Sequence, residues 1–81
     1  MRVEIVTPDV KVFEGDARHV QLPGVNGLFG VLKDHAPVIS TLVKGKVKVE
    51  AIDGDVHSFE ISGGVVEVNS NKVIVLAEKV L

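Results

Sequence analysis

Apolar and polar residues alternate with a period of two along most of this 81-residue chain. Val3 and Ile5 alternate with Arg2 and Glu4, and the run stops at Thr7-Pro8-Asp9, because proline cannot donate to a ladder. Alternation resumes over Val10 to Phe13 and meets Glu14-Gly15-Asp16, which reads as a turn. It returns over Arg18 to Leu22 and closes on Pro23-Gly24. Leu28 to Leu32 is a short apolar stretch around Gly30, and Val38 to Val43 follows Pro37. Further on, Lys46, Lys48 and Glu50 alternate with Val47, Val49 and Ala51, and Asp53-Gly54-Asp55 is a hairpin signal. His57, Phe59 and Ile61 alternate with polar neighbours on the return. Gly63-Gly64 interrupts, Val65 to Val68 resumes, and Asn69-Ser70-Asn71 turns the chain again. Val73 to Ala77 is apolar on both faces, as expected of a central strand. No stretch carries a helical period. The pattern predicts one all-β domain over residues 1–81, a two-sheet β-sandwich of about ten short strands.

Composition agrees. Val and Ile supply 23 residues and Ala only four, a mixture of χ1-stiff side chains that suits a pleated surface. With no Cys there is no disulfide, thiolate metal site or cysteine nucleophile. A net charge of −2, with three Phe and no Trp or Tyr, offers nucleic acid neither a basic footprint nor a stacking platform. The run Val73 to Leu76 is far too short to span a bilayer, and the opening residues have no signal-peptide core, so membrane association is expected only through a protein partner. A domain of this size has a core worth roughly 3–5 kcal/mol. Its 46% apolar content hints that a partner covers some of it.

Candidate chemistry is sparse. Gly24, Gly27 and Gly30 lack the following Lys-Ser/Thr and the helix that a phosphate loop needs, so the segment reads as a shaped turn. Val25, Leu28 and Phe29 near its tip favour a protein contact. His19, His35 and His57 have no partner at metal-ligand spacing. His35 lies in a turn beside Asp34, which can hydrogen-bond it. Asp53 and Asp55 are explained by their hairpin, and Lys44, Lys46 and Lys48 by a solvated strand face. The serines have no nucleophile-elbow context. The chain reads as non-catalytic, with no cofactor and no metal.

The order of these segments carries a resemblance. Thr7-Pro8-Asp9, Phe13-Glu14-Gly15, Leu22 to Leu32, His35-Ala36-Pro37, Ser62 to Val68 and Asn71 to Glu78 follow one another as in the epsilon subunit of F-type ATP synthase, which the whole chain resembles. The resemblance implies a sandwich of two five-stranded sheets on the central rotor stalk, bound to the gamma subunit and resting on the ring of c subunits. Such a subunit helps couple proton or sodium ion flow to ATP synthesis without an active site of its own. It works at the cytoplasmic face of the bacterial inner membrane. By the same resemblance Val25, Asn26, Gly27, Leu28 and Phe29 meet the c ring, and Thr7, Pro8, His35, Ala36, Pro37 and Leu42 meet gamma. Many members are acidic at the position of Leu28, so a more apolar seat is expected here. The sequence stops at Leu81, where the family enters a helical hairpin that inhibits ATP hydrolysis, and it is expected to act without one. The rival reading is a lipoyl- or biotinyl-type carrier domain, whose modifiable lysine would be Lys72, just past a turn.

Overall fold

A strand with one apolar face must bury it against another such face. In the computed structural model, which describes residues 1–81, eight strands do so in two layers. They are β1 (Arg2–Val6), β2 (Lys11–Gly24), β3 (Gly27–Leu32), β4 (Val38–Leu42), β5 (Gly45–Ala51), β6 (Val56–Ile61), β7 (Gly64–Asn69) and β8 (Lys72–Ala77). The first layer has the order β4-β7-β8-β1-β2 and uses residues 11–16 of β2. The second has the order β3-β2-β5-β6 and uses residues 17–24. Only β1 and β8 run parallel. A pairing of Gly24 with Leu42 joins the far end of β2 to β4, so the first layer closes on itself.

β2 therefore belongs to both sheets. Its register slips between Ala17 and His19, a bulge that places Arg18 outside the alternation. Before the bulge Phe13, Gly15 and Ala17 point inward; after it Val20 and Leu22 do. The expected turn at Glu14-Gly15-Asp16 does not form. Glu14 and Asp16 lie on the outer face, 2.8 and 4.0 Å from the Arg2 guanidinium on the neighbouring strand, and Gly15 sits beneath the Phe13 ring. Turn-forming composition is overridden by pairing with β1. Counting β2 in each layer, and the bridge of Val80 to Ile61 at the edge of the second, accounts for the difference between eight strands and about ten.

The two inner faces supply a core of fifteen residues, nine of them valine. Valine is stiff and narrow, so the layers interlock at little rotamer cost. The three larger rings, Phe13, Phe29 and Phe59, pack at its rim. β8 is central, between β1 and β7, as its composition predicts. Only Val73, Val75 and Ala77 are buried, however; Ile74 and Leu76 point outward.

Gly64 is the tightest point of the first layer. It pairs with Leu42 on one side and Ala77 on the other, and a Cβ there would run into the Leu76 carbonyl and lie 3.0 Å from the Ala77 Cα. Both obstacles are backbone. Gly64→Ala is expected to cost ~2–3 kcal/mol, as overpacking does. Urea denaturation measures this, and an unchanged midpoint would mean that the ladder spreads freely.

Candidate partner interfaces

The outward residues of the first layer form cross-strand rows. Ile39, Glu67, Ile74, Glu4 and Glu14 make one row; Thr41, Val65, Leu76, Val6 and Lys11 make the next. The β4, β7 and β8 side is thus largely apolar. Ile39 is 70% exposed and Leu76 52%. A shallow hollow lined by Val6, Thr7, Pro8, Leu76, Ala77 and Glu78 lies at one end of this band. A second, of about 350 Å³ and lined by Pro37, Val38, Ile39, Glu67, Val68 and Asn69, lies at the other. The sequence-derived contacts Thr7 and Pro8 therefore mark one end of the face, and His35, Ala36 and Pro37 the opposite end.

The β1 and β2 side of the same face is charged. Glu4 accepts from Lys11 at 3.2 Å and Lys72 at 3.3 Å; Glu14 accepts from Arg2 at 2.8 Å and Lys11 at 3.0 Å. Hydrogen-bonded ammonium groups, Lys11 before Lys72, hold the Glu4 carboxyl below its ordinary range. The Arg2 guanidinium, then Lys11, does the same for Glu14. Lys72, the candidate carrier lysine, is engaged in this network.

A second surface projects from the end of the molecule. β2 and β3 are joined by Val25 and Asn26, with Gly27 at φ 121° completing the reversal. Val25 is 60% and Leu28 66% exposed, and Asn26 and Gly27 are open to solvent. Phe29 faces inward; its ring leaves no space for a Cβ on Gly24, 2.9 Å away. Of the five residues assigned to this contact, four present themselves and Phe29 anchors them. The Val25 amide donates to the Thr41 carbonyl at 3.3 Å and the Val43 amide to the Pro23 carbonyl at 2.9 Å, fixing the turn against β4.

Leu42 needs correction as a contact residue. Its side chain is 3% exposed and lies in the core, because it alternates with Thr41 and Ile39, which point outward. The expectation that Asp34 bonds His35 fails as well. Nδ1 of His35 lies 2.7 Å from the Ala36 carbonyl, to which it must donate, leaving Nε2 free. His19 lies over Gly30, and His57 packs against Phe13 with the rings tilted by 46° and 5.1 Å between centroids. No three His, Asp or Glu side chains converge as metal ligands would. Ile39 lies inside the stretch His35 to Leu42 that the resemblance assigns to the gamma side, whereas sequence reasoning missed Val65, Leu76 and Val6 as surface residues. The signal for Leu76 was the doubly apolar run in β8, read as burial on both faces.

A family model, the ATP synthase Delta/Epsilon chain beta-sandwich domain, matches residues 1–81. The ATP synthase epsilon chain of Chlorobaculum tepidum is 46% identical over 78 residues, 96% of this chain and 89% of that relative. That of Chlorobium limicola is 43% identical over 79 residues, 98% and 90% of the two chains. In Campylobacter fetus the epsilon chain is 45% identical over 78 residues, but these are 60% of its length. The chain thus spans most of the first two relatives and three-fifths of the third. A similar fold occurs in a chain of the Euglena gracilis mitochondrial ATP synthase OSCP/F1/c-ring structure, with a TM-score of 0.87 and 22% identity, covering 98% of this chain and 51% of that one.

The depressed Glu4 and Glu14 carboxyls stabilise the fold while ionised. That contribution is complete above their ordinary value of 4.5 and is lost as pH falls through their lower folded values. Thermal midpoints measured from neutral pH downward are expected to fall across this window, and less steeply in Glu4→Gln. Identical slopes for the two proteins would remove Glu4 from the acid response. High salt should flatten both curves, since the pairs are open to solvent.

Proposed function

Since the chain belongs to the ATP synthase delta/epsilon family, its relatives being epsilon chains, we propose that it works on the central stalk of an F-type ATP synthase, binding gamma through the outer face of the first layer and seating on the c ring through the Val25–Leu28 turn. It performs no chemistry. Its work is to hold gamma and the ring in fixed register, so that ion flow through the ring is delivered as rotation to the catalytic head. Association with the membrane, at the cytoplasmic face in a bacterium, is through the complex alone.

One observation supports this reading above the rest: besides scattered exposed apolar residues such as Val10, Ile52 and Val56, the domain carries a row of them on one sheet face (Ile39, Val65, Leu76) and a pair on a turn (Val25, Leu28). A part that joins two bodies needs two such surfaces. The band from Ile39 to Val6 is flanked by Thr7 and Pro8 at one end and His35 to Pro37 at the other, which makes it one continuous candidate footprint for gamma. Leu28 gives the ring seat an apolar rather than acidic character.

Exposed positions separate the two contacts without touching the core. Ile39→Asp and Leu76→Asp are each expected to weaken gamma binding by ~2 kcal/mol, if that site is a buried hot spot in the complex. Calorimetric titration with purified gamma subunit measures it, and unchanged affinity for both would move the gamma face elsewhere. Val25→Asp combined with Leu28→Asp should leave gamma binding intact and release the gamma–epsilon pair from detergent-solubilised c ring. Retention of the ring by this variant would remove the turn from the seat.

A further inference from the structure

The five residues between β3 and β4, 33–37, make three hydrogen bonds to the rest of the chain, and the two long-range ones involve one side chain. The Asp34 amide donates to the Asn71 Oδ1 at 2.6 Å, and the Asn71 Nδ2 donates to the Asp34 Oδ1 at 3.0 Å. The third is local: the His35 amide closes a turn onto the Leu32 carbonyl at the end of β3 at 3.1 Å, and the His35 ring bonds the adjacent Ala36 carbonyl. Packing adds little, since Lys33, Asp34, Ala36 and Pro37 are exposed.

Backbone conformation at both ends of the link is unusual for residues other than glycine. Asp34 has φ 64°, and Ser70 and Asn71, at the tip of the β7–β8 hairpin, have φ 51° and 60°. Asp and Asn tolerate this left-handed region because their short polar side chains bond locally. Here they bond each other, 37 positions apart in sequence. A turn from Leu32 to His35 with its third residue left-handed has a central peptide that can point either of two ways. The Asn71 acceptor fixes which way the Asp34 amide points, and with it the direction in which His35, Ala36 and Pro37 leave the turn.

We infer that Asn71 is a positioning residue for the gamma contact: it pre-organises His35-Ala36-Pro37 without itself being required at the interface. This rests on the gamma-binding reading above and adds to it a residue on a different hairpin. Binding a preformed turn avoids the ordering cost that a loose one would incur.

The test compares three full-length variants with the parent chain. Asn71→Gly keeps the left-handed conformation accessible and removes both bonds. Ala36→Glu places charge directly at the contact. The exchange Asp34→Asn with Asn71→Asp keeps an acceptor for the position-34 amide and restores a donor–acceptor pair between the side chains. Binding to purified gamma subunit is measured by calorimetry, and hydrogen exchange follows the amides of residues 34 and 35. Asn71→Gly is expected to lose protection at both amides and to bind gamma about tenfold more weakly, a loss of the size of one such bond. The exchanged pair should recover protection and affinity together. Lost protection with parental affinity for gamma in Asn71→Gly, or an exchanged pair that regains protection but not affinity, would overturn the inference, provided Ala36→Glu weakens binding. If Ala36→Glu also binds like the parent, this end of the gamma face is wrong and the inference falls with it.

Discussion

Everything in this molecule depends on β2 changing the phase of its alternation part-way along. A strand with a strict period of two has one inner face from end to end. β2 has to serve two sheets in succession, and the bulge between Ala17 and His19 shifts the inward set from Phe13, Gly15 and Ala17 to Val20 and Leu22. Were the period of two strict through Arg18, Val20 and Leu22 would face solvent and His19 and Gln21 the core. Arg18, displaced from the ladder, holds the corner: its Nη2 donates to the Ile52 carbonyl at 2.6 Å, and its Nε lies 3.5 Å from Glu50. The same shift lets the far end of β2 reach β4 and close the first layer.

Once that geometry is set, the division of labour among apolar residues follows. Inward positions are taken by small branched side chains, which fill a thin space between two twisted layers. Rings are confined to the rim, partly buried against the core. Apolar residues left over at outward positions of β4, β7 and β8 contribute nothing to this core. They form a band beside a cluster of ion pairs on β1 and β2, so a single sheet face carries an apolar half and a charged half. The charged half covers Glu4 and blunts that side against nonspecific association.

Much of this could be read from the residues. Alternation located nearly every strand, and the hairpins at Asp53-Gly54-Asp55 and Asn69-Ser70-Asn71 formed where their composition placed them, with Gly54 and Asn71 at positive φ. Glu14-Gly15-Asp16 misled because turn propensity is local, whereas the Arg2 guanidinium that straightens it comes from another strand. Leu42 misled for a related reason. Its neighbours in sequence lie along a candidate contact, but the parity of β4 turns its side chain inward. The turn at 25–28 was legible because exposed apolar residues beside glycines have no other local explanation. The link between Asp34 and Asn71 was not, since nothing in either segment specifies a partner 37 residues away.

A strand shared by two sheets has a mechanical meaning as well. Force applied at Val25 and Asn26 enters the C-terminal end of β2 and runs down its peptide backbone, past the bulge, into the layer that carries the apolar band. The step from one sheet to the other is therefore covalent, and the ladders from β2 through β1 to β8 pass the load across to the apolar band. Such a link resists being pulled apart far better than one that relies on a packed seam between separate sheets.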